Sequence, residues 1–393
     1  MTSTETRPSQ NEPAQTKPAK KRRRWLQFTM RGLIVLTILA AMGAFWLRSK
    51  VQHAREQRLA VEKILELGGS VYYLEDSPDG FAAKPVAGPE WLTELLGEDI
   101  FLKAHTADFR AAVATAEQME FLAPLDDLRV IVISDFVSPP RQVEFNNETA
   151  RHLADMPELK ALSLSGTQIT DTGLIHLSGS INLDLLDVSH TNIDGSGLRH
   201  LSGLRKLTKL FLSETQLDDN GLQHLKDHQE LTVLSLSGTN ITDGGLESLG
   251  EKPVLTSLDL RDTRITEAGL KHIAKMKNLE AFTPEPTAMT GPGLAELAAL
   301  PKLWRLDLSG TDMNDAGWDA LVELKQITAI NLLMAKMTDE NLIQLVDSMP
   351  QLTSLVLAET EVTDVGATHL ARLTKLEELY LSGIQITDAT LVA

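Results

Sequence analysis

The sequence predicts an α/β solenoid, in which short strands form a curved parallel sheet and helices or 3₁₀ turns cover its convex side. A unit of the form Leu-x-Leu-Ser-Gly-Thr-x-Ile-Thr-Asp-x-Gly-Leu-x-x-Leu recurs about every 24 residues through residues 162–393. Its first two leucines alternate with small polar residues, which is typical of a strand with one buried face. Its last two leucines lie three residues apart, which places them on one side of a short helix.

The first leucine of each unit sets the register of the repeat. This position holds Leu162, Leu186, Leu210, Leu234, Leu258, Phe282, Leu306, Ile330, Leu355 and Leu379. Successive positions are 24 residues apart, except for one 25-residue step that ends at Leu355. Residues 101–161 form an irregular part, in which Ala107 and Phe109 precede Ile131 and Ile133 by 24 residues and mark two degenerate units.

The unit resembles the leucine-rich repeat, whose period is about 20 to 29 residues. The Asn or Cys usual in that family is replaced here by Thr167, Thr191, Thr215, Thr239, Thr263, Thr287, Thr311 and Thr360. A threonine hydroxyl can still bond to the turn backbone. The Ser-Gly-Thr and Thr-Asp-x-Gly-Leu segments are most similar to repeats of membrane-anchored bacterial surface proteins, with internalins as the loosest relatives. The resemblance implies a leucine-rich-repeat solenoid.

Residues 25–47 are predicted to form one transmembrane helix. The stretch from Gly32 to Leu47 contains no charged residue, and residues 25–47 provide 23 positions, whereas a bilayer core requires about 20. Residues 1–24 are polar and basic, and we expect them to be a disordered cytoplasmic tail. A cleaved signal peptide, cut near Ala41-Met42-Gly43, is the alternative interpretation.

The distribution of charge predicts the orientation of this helix. Seven Lys/Arg lie on the N-terminal side, from Lys17 to Arg31 within the start of the span, and five follow the span, from Arg48 to Lys63. This difference favours a cytoplasmic N-terminus and an extracytoplasmic repeat region. Residues 1–60 hold 12 Lys/Arg and 3 Asp/Glu, whereas the whole chain carries −17, so the remainder carries −26. A solenoid that acidic repels phosphate backbones, so no nucleic acid is expected as a partner.

Residues 48–100 are predicted to be a juxtamembrane helix followed by a small capping module. Leu59, Val61, Ile64, Leu65 and Leu67 interleave with charged residues and indicate an amphipathic helix that stops at Gly68-Gly69. A short strand over residues 70–74, a loop over 75–89 and a helix over 91–96 then follow. The module is expected to cover the first repeat, and an independent ligand site is the alternative.

No catalytic or metal motif occurs in the sequence. The chain has no cysteine, which excludes disulfides, thiolate metal sites and a cysteine nucleophile. Asp171, Asp219, Asp243, Asp315, Asp339, Asp364 and Asp388 share one position of the unit, which we interpret as capping of the helix starts rather than calcium binding. His176, His200, His224, His272 and His369 share another position and are interpreted as surface histidines. We expect no cofactor and no enzymatic activity.

The concave face of the sheet is the predicted binding surface. Its residues are mostly small and polar, but Asp259, Arg261, Arg305 and Asp307 cluster on nearby units. Phe211 lies on one side of this cluster and Tyr380 lies farther along. Arginine and aromatic residues are the usual energetic anchors of interfaces, whereas a solvated face with self-neutralising charges is the alternative.

The sequence therefore predicts a single-pass, membrane-anchored protein that binds a protein partner or a surface glycan through this face. A structural or self-assembling envelope protein is the second hypothesis. An enzyme with an unrecognised site is the third.

Overall fold

We analysed a computed structural model of the chain. It describes residues 30–72, 104–109, 120–122, 124–125, 127–133, 145–154, 156–285 and 289–387, with side chains from residue 33 onward. The expected disordered tail, Trp25, the loop over 75–89 and the helix over 91–96 lie outside the described residues. The described residues fall into two compact units, divided between Gln52 and His53.

The first unit contains the beginning of a long helix, α1 (Met30–Glu66). The segment from Leu33 onward is long and apolar enough to cross a membrane, judged by length and composition only. A stretch of 18 residues in it has a mean hydropathy of 1.5, and none of these residues is buried. A signal sequence near the N-terminus would show the same length and apolar composition. The apolar side chains are exposed, including Phe45 at 76% and Trp46 at 62%.

The second unit begins within α1, and the end of this helix packs on the core. Ala60 and Ile64 are buried in the core, whereas Leu59 and Leu65 are exposed. Leu59 and Leu65 lie on another side of the helix, because neighbouring residues of a helix are about 100° apart around its axis. The helix ends where predicted, since Gly68 has a φ of 86° and lies in the left-handed region.

The strands of the second unit form one sheet in chain order. They are β1 (Ser70–Tyr72), β2 (Thr106–Asp108), β3 (Val130–Val132), β4 (Ala161–Ser163), β5 (Leu185–Asp187), β6 (Lys209–Phe211), β7 (Val233–Ser235), β8 (Ser257–Asp259), β9 (Ala281–Thr283), β10 (Arg305–Asp307), β11 (Ala329–Asn331), β12 (Ser354–Val356) and β13 (Glu378–Tyr380). β1 is antiparallel to β2, and the later pairs are parallel. Ala107 aligns with Ile131, and Ile131 aligns with Leu162. Residues 106–108 and 130–132 thus each contribute one strand in register with the regular units.

Short helices follow the strands. The α-helices are α2 (Asn147–Ala150), α3 (Asp219–Leu222), α4 (Asp243–Leu249), α5 (Leu270–Ile273), α6 (Asp315–Val322), α7 (Asp339–Ser348) and α8 (Asp364–Ala367). The 3₁₀ segments are Arg151–Leu153, Gly173–Leu177, Ser196–Leu201, Gln223–Leu225, Glu267–Gly269, Pro292–Ala299 and Thr368–Arg372. This mixture confirms the predicted combination of helices and 3₁₀ turns.

The predicted apolar positions form the core between the sheet and the helices. In the unit that begins at β4, the side chains of Leu162, Leu164, Leu174 and Leu177 are fully buried. The hydroxyl of Thr167 donates to the carbonyl oxygen of Leu164 at 2.7 Å. The same bond recurs in other units at Thr191, Thr215, Thr239, Thr263, Thr311 and Thr360. Threonine thus closes the turn that follows each of these strands.

The repeated carboxylates connect neighbouring units instead of capping their own helices. Asp219 accepts hydrogen bonds from the Thr242 amide at 2.8 Å and from the Thr242 hydroxyl at 2.6 Å. Thr242 in turn caps its own helix by accepting from the Gly244 amide. Thr242 is therefore the N-cap, and the interpretation of the Asp position as the cap was wrong. Because Asp219 is the first residue inside its helix, beyond the N-cap, its carboxylate reaches the next unit. Asp243, Asp339 and Asp364 accept the same pair of bonds from a threonine of the next unit. Asp171 accepts instead from backbone amides of the next unit, including that of Gly197.

In several units a glycine two residues after the helix start makes room for this carboxylate. A Cβ atom on Gly245 would overlap the carboxylate of Asp219, and one on Gly366 would overlap that of Asp339. Close approach of neighbouring units therefore explains why the unit has glycine at this position. The histidines of the predicted surface column are half-buried rather than fully exposed, namely His176, His200, His224, His272 and His369.

Candidate functional site

The open face of the sheet, which we define as the face opposite the helices, presents its side chains in aligned rows. Across β10–β13, one row consists of Arg305, Ala329, Ser354 and Glu378. A second row consists of Asp307, Asn331, Val356 and Tyr380. A third row, just before the strands, runs from Trp304 to Glu377 through backbone hydrogen bonds of 2.8–2.9 Å.

A hollow of about 510 Å³ lies on this part of the open face. It is lined by Trp304, Arg305, Ala329, Ile330, Asn331, Thr353, Ser354, Val356, Glu377, Glu378 and Tyr380. The short side chains of Ala329 and Ser354 lie in the middle of a row that has long side chains at both ends. The hollow is therefore a consequence of side-chain size on four adjacent strands.

The two ends of the hollow are separated by three strand spacings. Since neighbouring strands lie about 4.8 Å apart, β10 and β13 are about 14 Å apart. Trp304 stands at the β10 end with 44% of its surface exposed, and Tyr380 stands at the β13 end with 55% exposed. Exposed large aromatic side chains in a hollow are a common feature of binding sites.

The two ends of the hollow also carry opposite charges. Arg305 lies at the β10 end, and its guanidinium makes no hydrogen bond or ion pair with any other residue that the structure describes. Glu377 and Glu378 lie at the β13 end. The carboxylate of Glu378 accepts a hydrogen bond from the Ser354 hydroxyl at 3.0 Å, and that of Glu377 has no partner among the described residues. Among the described residues, the hollow thus offers one unpaired cation, Arg305, and two neighbouring carboxylates.

The six residues predicted for the binding surface do not form one cluster. Arg305 and Tyr380 line the hollow. Phe211 lies on β6, half-buried, and Asp259 pairs with Arg261 on and just after β8. The guanidinium of Arg261 donates to both carboxylate oxygens of Asp259, at 3.0 and 2.7 Å.

This pair matches the alternative prediction of self-neutralising charges. Hydrogen bonding to Asp259 raises the pKa of Arg261. Asp307 is also engaged, because it accepts from the backbone amide and hydroxyl of Ser309 and from the side-chain amide of Asn331. Hydrogen bonds within the protein therefore already occupy the charged groups of Asp259, Arg261 and Asp307. The guanidinium of Arg305 has no such bond among the described residues.

The sequence interpretation missed Trp304, Val356, Glu377 and Glu378 as members of the site. A signal was present, since two short side chains in the Arg305 row stand between longer ones in aligned units. That signal appears only when four units are compared along one row. Within the described part of the chain, no group of three or more His, Cys, Asp or Glu is arranged to hold a metal ion.

A second polar feature lies inside the solenoid, on the helix side. His228 and Lys252 occupy the same position of consecutive units, where Leu204 and Met276 stand in the units on either side. The Lys252 side chain is fully buried, and its ammonium donates to the carbonyl oxygens of Leu225 and Lys226 at 2.8 and 2.9 Å.

His228 is 6% exposed, and its Nε2 lies 3.0 Å from the Leu201 carbonyl oxygen. Its buried Nδ1 has no hydrogen-bond partner among the residues that the structure describes. Burial lowers the pKa of Lys252 to about 8, and nearby Asp227 opposes this shift. Burial also lowers the pKa of His228, against its hydrogen bond to Leu201. A small hollow of about 210 Å³ adjoins His228. These two bases are therefore buried within the repeat core.

The comparison with protein families agrees with this architecture. Residues 156–178, 228–250 and 251–274 match a family model described as Leucine Rich repeat. These segments are leucine-rich repeats. Each leucine-rich repeat matched in this way contains one strand of the sheet and the helix that follows it. The leucine-rich-repeat solenoid predicted from the sequence is confirmed. No curated protein matches the chain in sequence.

Solved structures similar to this chain include two internalins from Listeria monocytogenes. One internalin (InlF) is 22% identical with a TM-score of 0.48, and the similarity covers 72% of this chain and 87% of that chain. Internalin C2 is 18% identical with a TM-score of 0.39, covering 56% and 85%. A plant peptide hormone receptor, RGFR1, solved in complex with RGF2, is 14% identical with a TM-score of 0.37, covering 70% and 46%.

Proposed function

We propose that this protein is a membrane-anchored, non-catalytic binding protein whose leucine-rich repeats recognise a protein partner at the hollow of β10–β13. One observation carries the proposal. On a face of mostly small polar residues, the hollow combines two exposed aromatic side chains with an arginine that is unpaired among the described residues.

The energetics of interfaces support this location. Tryptophan, tyrosine and arginine provide most of the binding energy at protein interfaces, because they bury large surfaces and make directed hydrogen bonds. Trp304, Tyr380 and Arg305 are of these three types. Asp259 and Arg261 already satisfy each other, so a partner would gain little by replacing one ion pair with another. Phe211 is half-buried and lies on β6, outside the hollow.

The membrane anchor is the second part of the proposal. We assign residues 25–47 as a single uncleaved span, with residues 1–24 in the cytoplasm and the repeats outside the cytoplasmic membrane. The apolar, exposed helix from Leu33 onward and the excess of basic residues before it support this topology. The hollow would then face envelope or extracellular molecules.

Site-directed photo-crosslinking in intact cells tests the binding site. We would place benzoylphenylalanine at position 380, within the hollow, or at position 211, an aromatic position on the same face outside it. A defined protein adduct is expected at 380 and not at 211. The identified partner would then be purified and titrated against variants of the full chain.

With this partner, Trp304→Ala and Tyr380→Ala are each expected to weaken binding about tenfold or more, the magnitude of an interface hot spot. Phe211→Ala is the matched control and should change binding less than twofold. Unchanged affinity in both hollow variants would show that the partner binds elsewhere.

The topology has its own test. A C-terminal tag should be cleaved by added protease once the outer barrier of the cell is opened, while the cytoplasmic membrane is still intact. A tag that stays protected until the cytoplasmic membrane is lysed would place the repeats in the cytoplasm.

A further inference from the structure

We infer that the partner segment bound in this hollow is an extended peptide with an acidic and a basic side chain four residues apart. This inference rests on the proposed function and specifies the chemistry of its ligand. It follows from the separation of the two charged ends, from the geometry of an extended chain and from the small floor between the ends.

The separation of the ends sets the spacing in the peptide. Arg305 on β10 and Glu378 on β13 lie in one row, three strand spacings or about 14 Å apart. An extended peptide advances about 3.3 Å per residue, so residues four apart are separated by about 13 Å. A peptide laid across the strands therefore places these two residues at the two ends of the hollow.

The alternating direction of side chains in an extended peptide requires that its two charged residues be an even number of positions apart. Successive side chains of an extended chain point to opposite faces, so residues i and i+4 point to the same face. Residues i and i+3 point to opposite faces. The residue between, at i+2, also faces the sheet and meets the floor of Ala329 and Ser354. A helical segment fails this requirement, because side chains at i and i+4 of a helix are only about 6 Å apart.

The charges at the two ends select the chemistry of each contact. Arg305 presents a planar fork of donors that matches a carboxylate. Glu377 and Glu378 together present an acidic end that matches a lysine or arginine of the peptide. The exposed ring of Tyr380 lies at the same end and can pack against the aliphatic stem of that base or face its charge.

The peptide would bind through its side chains and would not add a strand to the sheet. β10, β11 and β12 are paired on both edges within the sheet, so the peptide backbone gains no ladder hydrogen bonds from them. Affinity must therefore come from the charged ends and the aromatic rings, and the peptide can run in either direction across the hollow.

A random 12-residue peptide library displayed on phage tests the inference with the full chain in lipid nanodiscs. Selected clones are re-tested against the double variant Trp304→Ala/Tyr380→Ala. Clones that lose binding to this variant are expected to share an acidic and a basic residue four apart. Variant-sensitive clones without this spacing would overturn the inference and leave the proposed function standing. Clones that all bind the variant as well as the unaltered chain would overturn both.

Two synthetic peptides sharpen the result. The first contains Glu-Thr-Val-Thr-Lys, with its charges four apart, and the second contains Glu-Thr-Val-Lys-Thr, with the same composition and its charges three apart. The first should bind at least about fivefold more tightly by calorimetry. Equal affinities would overturn the spacing rule.

A double-mutant cycle tests the individual contact. Arg305→Ala and replacement of the peptide Glu by Ala should each weaken binding about twofold to fivefold, as for exposed ion pairs. Together they should weaken it no more than either alone, because they remove the same contact. Arg261→Ala, an arginine of the same face already paired with Asp259, is the matched control and should leave binding unchanged. Fully multiplicative effects of the two changes would show that Arg305 does not contact the peptide Glu.

Discussion

Lys252→Met should remove a rise in stability that the unaltered protein shows at alkaline pH. Lys252 is fully buried, and burial lowers its pKa from 10.5 to about 8. One pKa unit corresponds to about 1.4 kcal/mol, so protonated Lys252 destabilises the folded state by about 3 kcal/mol relative to neutral Lys252. Methionine occupies the same position one unit later, at Met276, where it is also fully buried. The replacement therefore matches the local packing.

The sign of the pH dependence follows from proton binding. Between pH 8 and 10.5 the unfolded chain keeps the Lys252 proton and the folded chain releases it. Stability must then rise with pH across this interval, because the unfolded state binds more protons. The gain should approach about 3 kcal/mol at complete titration, and most of it should appear by pH 10. Below pH 8 both states are protonated and this contribution is constant.

Urea unfolding provides the measurement, followed by tryptophan fluorescence, to which the buried Trp318, 2% exposed, contributes a change on unfolding. The full chain in detergent micelles would be compared with Lys252→Met at pH 7, 8, 9 and 10. The difference in unfolding free energy should grow in favour of the unaltered chain as the pH rises. Lys271→Met, at an exposed helix position, is the control and should run parallel to the unaltered chain. If the unfolding free energy of Lys252→Met changed with pH in the same way as that of the unaltered chain, the reasoning would be refuted.

Three further predictions concern the contacts between units. Asp219→Ala should lower the unfolding free energy by about 1 to 3 kcal/mol, because it leaves two donors of the next unit without their acceptor, whereas Asp315→Ala, which removes no such bond among the described residues, should cost less than about 0.5 kcal/mol. Gly245→Ala should be destabilising by about 1 to 3 kcal/mol, since its Cβ meets a carboxylate, while Gly203→Ala, with open space around its Cβ, should be near neutral in the same urea titration. His228→Leu should abolish a loss of stability that the unaltered chain shows as the pH falls below about 6.5. The reason is that burial lowers the pKa of folded His228, so the folded state resists protonation that the unfolded state accepts. An acid profile that His228→Leu does not change would contradict this account.

The period of the sequence was sufficient to predict the fold. Each strand begins within one residue of the position set by its leucine, and the strands of the degenerate units at Ala107 and Ile131 align with Leu162. This success has a physical reason. In a solenoid each unit packs only on its neighbours, so the same apolar position meets itself in the next unit and the core follows from the repeat alone.

The errors concern side chains whose partners belong to another unit. Asp219 stands where a helix cap is expected, yet it bonds to Thr242 of the following unit. The sequence shows the two residues 23 positions apart, and only the stacking of units brings them within 3 Å. Asp259 and Arg261 of the predicted binding surface, by contrast, pair with each other within their own unit.

The sequence by itself therefore determined the strands, the turns closed by threonine, the buried leucines and an apolar N-terminal segment long enough to span a membrane. Those features depend on the spacing of apolar and polar residues within one unit, which can be read directly from the sequence. Tertiary structure decided where the open face becomes hollow, which charges remain unpaired and that Lys252 is buried. These properties depend on how side chains of different length line up across three or four strands, and a pattern within one unit does not contain that information.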